Sequence, residues 1–177
     1  MKNQEIKFNS LKHNYSVFIG KNVIKLLPKK IKNICPKARK IALIVDTKIP
    51  KKLKKTIKDK LSNYEIVNLP FSASEKNKSF KKVDFYLNKI LSKNFNRSDI
   101  IIGVGGGITG DVAGFVASIF KRGINFINVP TTLLSQVDSA IGGKTGVNSQ
   151  KGKNLIGSFY QPRLVISDTS FLNSLPN

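Results

Sequence analysis

Five short apolar runs recur along this chain, and helical patterns separate them. The runs are "KIALIVD" (40–46), "YEIVNLP" (64–70), "DIIIGVGGG" (99–107), "NFINVP" (125–130) and "RLVISD" (163–168). A continuous apolar run of this length fits a strand covered on both faces, as in a parallel sheet. Between them, "IPKKLKKTIKDKLS" spaces Ile49, Leu53, Ile57 and Leu61 four apart and leaves a lysine face, the pattern of an amphipathic helix. "KNKSFKKVDFYLNKILSKN" gives a second helix, with Phe80, Val83, Leu87, Ile90 and Leu91 expected on its inner side. "DVAGFVASIF" reads as an apolar helix with small residues, and "TTLLSQVDSA" also reads as helical. Alternating strand and helix predicts an α/β fold, a parallel sheet flanked by helices.

The ends of the pattern differ. "EIKFN" and "YSVFIG" alternate, so they are expected to pair as an N-terminal β-hairpin around Lys12 to Asn14. "VIKLLPKKIKNI" has helical spacing that Pro28 must interrupt or reset. "IGGKTGVNSQKGKNLIG" (141–157) reads as a glycine-rich loop, expected to be mobile and exposed. No internal repeat is visible.

A chain of 177 residues suits one domain and can bury roughly 70% of its unfolded surface. No apolar stretch approaches the ~20 residues of a membrane span, the N-terminus lacks the apolar core of a signal peptide, and a single cysteine rules out an intrachain disulfide. A cytoplasmic protein is expected, with no membrane partner. The net charge of +21 invites a nucleic-acid reading. Yet all but Lys121, Arg122, Lys144, Lys151, Lys153 and Arg163 of the 31 basic residues lie in the first hundred positions, scattered over several helices. Most are Lys, whereas bidentate recognition favours Arg. A solvated lysine surface is the expectation, without a specific nucleic-acid partner; nonspecific attraction to polyanions is the alternative.

Gly105, Gly107 and Gly110 make a G-x-G-x-x-G pattern between a strand and a helix. Glycine there lets the backbone turn with positive φ and approach a pyrophosphate, while helix N-terminal amides point at it. A purely structural tight turn is the other reading. The dinucleotide fingerprint also asks for an acid at the end of the following strand. That strand ends at Val129-Pro130 without one. Asp46, ending "IALIVD", is a replacement that could hold ribose hydroxyls, or it is a turn or N-cap residue. Asp111 could cap the helix or favour its start through the macrodipole.

The stretch "VPTTLLSQVDSAIGGKTGVNSQKGKNLIGSFYQP" (129–162) is more specific. With "GGGITGD" before it and "SDTSFLNSLP" after it, it closely resembles the 3-dehydroquinate synthase family. The resemblance runs from about residue 99 to 176 and, more weakly, to the N-terminus. It covers the N-terminal half of the family's length. It implies a Rossmann-like nucleotide-binding domain over residues 1–177 and a helical, metal-binding C-terminal domain outside this sequence. The implied enzyme is an NAD- and metal-dependent carbon–oxygen lyase. It converts 3-deoxy-D-arabino-heptulosonate 7-phosphate to 3-dehydroquinate and phosphate, in the shikimate pathway of aromatic amino acid biosynthesis. A transient oxidation acidifies a neighbouring C–H, phosphate is eliminated, the carbonyl is reduced back and the ring closes by an aldol step.

The resemblance also assigns residues. Asp46 matches the adenosine-ribose acid, and Glu75 and Lys78 in "SEKNK" match a cofactor loop in which Ser74 stands where glycine is usual. Gly106, Gly107, Gly110 and Asp111 match the pyrophosphate turn. Thr131 and Thr132 match a cofactor-contacting pair, and Phe171, Ser174 and Leu175 a closing contact. Lys144 and Lys153 match cofactor positions, while Asp138, Lys144, Asn154 and Arg122 match substrate positions. Arg122 resembles a phosphate-binding arginine lent to the neighbouring subunit in a homodimer; the plainer reading is a helix C-terminal cation before Gly123. Plainer readings of Glu75 and Lys78 as a charged surface loop, and of the threonines as N-caps, stand beside these.

The family's divalent metal, zinc or cobalt, resembles a Glu, His, His site beyond these residues. The only histidine here, His13, falls in an expected turn, and one Cys with one His cannot close a zinc site. The expectation is NAD binding without turnover by this chain alone. A related cyclase, such as an inosose or valiolone synthase, and a non-catalytic NAD- or polyanion-binding module are the competing readings.

Overall fold

The computed structural model describes residues 3–9 and 14–175. The chain opens with β1 (Gln4–Asn9) and β2 (Asn14–Gly20), antiparallel from Gln4↔Ile19 to Asn9↔Asn14. This is the expected hairpin; His13 and most of the turn lie outside the described residues. A 3₁₀ turn (Val23–Leu26) leads into α1 (Leu27–Ile34), where Pro28 is the second residue. An amide in the first helical turn has no intrahelical partner to lose, so Pro28 resets the helix rather than breaking it.

Then β3 (Lys40–Asp46), α2 (Lys51–Lys60), β4 (Glu65–Phe71), α3 (Phe80–Leu91), β5 (Ile100–Gly105), α4 (Gly107–Ile119) and β6 (Asn125–Pro130) alternate. After a short π-helical turn at Ser135–Ser139 come β7 (Lys144–Ser149), β8 (Gly152–Phe159) and β9 (Leu164–Asp168). The main sheet has seven strands in the order β1-β2-β9-β6-β5-β3-β4, and all neighbours except β1 and β2 run parallel. This is the expected Rossmann-like sheet.

Strand residues alternate between two apolar layers. Ile41, Leu43 and Val45 join Leu27, Ile31, Ile57 and Leu61 beneath α1 and α2. Ala42 and Ile44 join Val83, Tyr86, Ile90, Val112 and Val116 beneath α3 and α4. The inner strands β3, β5, β6 and β9 therefore need apolar side chains on both faces, which is why their sequences are near-continuous rather than alternating.

Two expectations are corrected and a third is refined. Residues 141–157 are not a loop: β7 and β8 form a separate antiparallel ribbon, from Lys144↔Phe159 to Ser149↔Gly152. Glycines stand there because the backbones nearly touch. A Cβ on Gly146 would lie 2.5 Å from the Ile156 carbonyl oxygen, and one on Gly157 would collide with that of Thr145. On α3, Phe80 and Leu91 are 52% and 49% exposed. The buried face is Val83, Tyr86 and Ile90, with Tyr86 able to turn inward because its hydroxyl donates to the Pro70 carbonyl at 2.8 Å. The helix expected at 131–140 forms over residues 133–139, its last five wound as a π-helix, and it points Leu133, Leu134 and Val137 outward while burying Ser135 and Gln136.

Two fully enclosed carboxylates fasten the sheet at opposite edges. Asp99 accepts the amides of Arg39, Lys40 and Asn96 where β3 and β5 begin. Asp168, at the end of β9, accepts the amides of Asn22, Ile24 and Ser170 and the Ser170 hydroxyl.

Candidate functional site

From β3 the chain steps outward to β4, then returns to the other side of β3 with β5. The connections after β3 and β5 therefore diverge, leaving a crevice outside their carboxyl ends, where parallel sheets gather ligands. Val45 pairs with Val104, so Asp46 and Gly105 end adjacent strands side by side. The acid and the glycine turn singled out in the sequence thus flank one switch point.

The turn works differently from the expectation. Gly106 sits at φ −76°, ψ −173°, and no glycine from 103 to 114 takes a positive φ. What glycine supplies is room. A Cβ on Gly105 would lie 2.5 Å from Thr109 Oγ1, and one on Gly107 2.9 Å from Ser139 Oγ. No side chain caps the first turn of α4, whose leading amides have no intrahelical acceptors. Asp111 lies in the next turn and caps nothing, so of its two expected roles at the helix start the cap is excluded. Asp46 does form the local turn, its Oδ1 accepting the Lys48 amide at 3.0 Å, while Oδ2 carries no hydrogen bond to the described residues. Thr131 donates its amide to the Gly105 carbonyl at 2.9 Å, joining β6 to the glycine turn. Thr132 Oγ1 accepts the Ser135 amide at 3.3 Å, which is the cap its sequence position suggests.

Lys78 is not on a charged surface loop: it is 4% exposed. Its ammonium lies 2.5 Å from Asp111 Oδ2 and 2.5 Å from Asn154 Oδ1, so it joins the segment before α3, the second turn of α4 and the ribbon. Burial pushes the Asp111 carboxyl above the usual carboxylate range, and the hydrogen bond and charge of Lys78 pull it back only in part. Nearby, Glu75 Oε2 accepts from Asn148 Nδ2 at 2.8 Å and lies 4.0 Å from Lys153 Nζ.

A cleft of about 470 Å³ opens between α4, the π-helical turn and the ribbon. Asp111, Asp138, Lys144 and Asn154 line it together with Thr145 and Ser158. The ribbon is pinned to α4 by Ser158 Oγ, which donates to Ser118 Oγ at 2.8 Å, while Thr145 Oγ1 ties β7 to β8 by donating to the Ser158 carbonyl at 2.8 Å. Phe171 is buried in the layer under α1, and Ser174 Oγ donates to the Phe171 carbonyl at 2.7 Å, with Leu175 partly exposed beyond it. All three follow β9 at the same carboxyl edge. Arg122 is not brought to the cleft. It is exposed past the far end of α4, with about 12 Å of helix between Asp111 and Ile119 alone.

Sequence reasoning passed over two residues. Gln136 is buried and donates through Nε2 to the carbonyls of Pro130 and Asp168, bridging the ends of β6 and β9. Asn148 bridges the ribbon and the Glu75 segment. Neither position shows in hydropathy; a polar residue within a glycine-rich or apolar setting is the only trace. Among the described residues, no three His, Cys, Asp or Glu side chains come together as a metal site.

The family model described as 3-dehydroquinate synthase N-terminal matches residues 68–177. A 3-dehydroquinate synthase of Pelagibacter ubique is 54% identical over 172 residues, 97% of this chain and 47% of that protein. The Bartonella bacilliformis enzyme of the same name is 45% identical over 168 residues, 92% of this chain and 45% of its own length. A crystal structure of 2-deoxy-scyllo-inosose synthase, complexed with carbaglucose-6-phosphate, NAD+ and Co2+, superposes with a TM-score of 0.88 at 30% identity, over 99% of this chain and 47% of that one. This chain spans about half the length of the curated relatives it matches. It belongs to the 3-dehydroquinate synthase family, whose N-terminal part it matches.

Proposed function

We propose that residues 1–177 are a nucleotide-binding domain that holds NAD+ across the β3–β5 crevice, as the cofactor-binding part of a 3-dehydroquinate synthase. The observation that carries this reading is the placement of Asp46 beside the glycine turn at the switch point. The residues present fit the cofactor. Oδ2 of Asp46 is available to ribose hydroxyls, the uncapped amides of α4 suit a pyrophosphate, and a side chain at Gly105 or Gly107 would crowd the turn. Glu75, Lys78, Gly106, Gly110, Thr131, Thr132, Lys144, Lys153, Phe171, Ser174 and Leu175 complete the proposed cofactor side.

NAD+, when bound, supplies reversible hydride acceptance. This chain's residues do the holding. Asp138 and Asn154 orient substrate hydroxyls by hydrogen bonds, and Lys144 offers its ammonium to a carboxylate or phosphate. The substrate proposed is 3-deoxy-D-arabino-heptulosonate 7-phosphate, favoured over an inosose or valiolone precursor by the 54% identity to a 3-dehydroquinate synthase against 30% to the inosose synthase. Zinc or cobalt does not fit the described residues, which bring no three His, Cys, Asp or Glu side chains together. Arg122, remote from its own cleft, suits the site of a second copy in a homodimer. A cytoplasmic setting goes with this reading, and no helix here is long and apolar enough to cross a membrane.

Titrating NAD+ into the chain in a calorimeter tests the proposal. Saturable one-to-one binding is expected. Absence of binding at millimolar NAD+, with salt-sensitive binding to polyanions instead, would replace it with the binding-module reading.

A further inference from the structure

Asn148 lies where the ladder of the β7–β8 ribbon breaks. Val147 pairs with Ile156 and Ser149 with Gly152, so Asn148 alone faces three residues of β8. Among those three, Asn154 takes a left-handed φ of 57°. A bulge of this kind leaves amides without ladder partners and re-aims side chains. Here the Asn148 side chain replaces the missing partner: its Oδ1 accepts the Asn154 amide at 2.9 Å. Its Nδ2 points the other way, donating to Glu75 Oε2 at 2.8 Å and to the Glu75 carbonyl at 3.2 Å. The Asn148 backbone amide donates to the Lys78 carbonyl at 2.9 Å.

One primary amide therefore serves two clients of opposite need, an orphaned N–H and a carboxylate. Only a side chain with a donor and an acceptor at this reach can do so. Through these bonds, the bulge presents the Asn154 carboxamide to Lys78 and carries Lys153 to within 4.0 Å of Glu75.

We infer that Asn148 is a positioning residue that locks the β8 bulge and the Glu75 carboxylate into one unit, so that the cofactor loop and the ribbon hold a ligand together or not at all. The cofactor part of this inference rests on the NAD+ reading above.

Two substitutions separate the two arms. Asn148→Asp keeps an oxygen for the Asn154 amide but sets a second carboxylate against Glu75; Asn148→Ala removes both bonds. Hydrogen exchange of the Asn154 amide, without cofactor, is expected to be slow in the wild type and in Asn148→Asp, and at least about tenfold faster in Asn148→Ala. NAD+ affinity by calorimetry is expected to fall about tenfold in both variants, the loss that follows from a broken hydrogen bond to a charged group. Unchanged Asn154 exchange in Asn148→Ala would overturn the bulge arm, and wild-type NAD+ affinity in Asn148→Asp would overturn the Glu75 arm. If the wild type itself binds no NAD+, the function proposed above fails, and the exchange rates still decide what Asn148 does.

Discussion

Lys78 and Asp111, thirty-three positions apart, meet as an ion pair whose lysine is almost wholly enclosed. Such a pair is costly to bury and costlier to halve, because the remaining charge loses its partner without regaining water. Lys78→Met is expected to destabilise the chain by about 2–3 kcal/mol, somewhat below the range for fully buried pairs because Asp111 keeps partial solvent contact. Urea denaturation measures it, and a loss below about 0.5 kcal/mol would place the pair among surface bridges.

The same pair sets a pH signature. Burial raises the Asp111 carboxyl above its ordinary 3.8, so between that value and the raised one the folded state binds more protons than the unfolded state. Stability contributed by this group therefore grows as pH falls into that window and is lost as pH rises out of it. Asp111→Asn removes the titration. The stability difference, wild type minus Asp111→Asn, should shift toward the wild type as pH is lowered from 7 to about 4 in a series of denaturation curves.

At the glycine turn, Gly107→Ala sets a methyl 2.9 Å from Ser139 Oγ, whereas the Ser139 Cβ would lie at an ordinary 3.4 Å. The single variant should lose about 1 kcal/mol from overpacking. Adding Ser139→Ala removes the clash, and alanine's helix preference over glycine should return stability to the wild-type level or above it. An additive double variant, measured by the midpoint of unfolding, would contradict a direct contact.

Asp46→Asn preserves a side-chain oxygen for the Lys48 amide, so the turn after β3 should survive. A charged acceptor for ribose hydroxyls is lost, and NAD+ affinity should drop about tenfold in calorimetry while the unfolding midpoint barely moves.

Cys35 is enclosed beneath α1, and burial pushes its thiol up to about 11 from 9.0. Only the thiolate reacts, so a thiol reagent at pH 8 should label it about a hundredfold more slowly than a free cysteine. Labelling at the free rate should appear only in denaturant.

The inner parallel strands are legible because each must satisfy two apolar layers: Ile41 to Val45 has no polar gap to misread. The crevice was half legible. Asp46 and the glycines stood out one by one, but their adjacency depends on β5 returning to the inner side of β3, which no local pattern encodes. The ribbon is hidden because glycine marks both loops and close backbone approach, and at Gly146 and Gly157 it is the second. Lys78 was hidden for a related reason. In a chain with so many solvated lysines, one enclosed lysine is distinguished only by partners 33 and 76 positions away.

The sheet order has a consequence for how the molecule is made. β2 leaves the ribosome well before β9, yet they lie side by side, Leu164 pairing with Ser16 from 148 positions further along. Asp168 then fastens the turn after β2 by accepting from Asn22 and Ile24. The leading hairpin thus has no sheet to join until the trailing strand arrives, and closing so long an interval comes late in folding. During synthesis, the half-built sheet from β3 to β6 must keep the flank of β6 from foreign strands. A nascent chain stalled before residue 164 would carry that vacancy into the crowded cell.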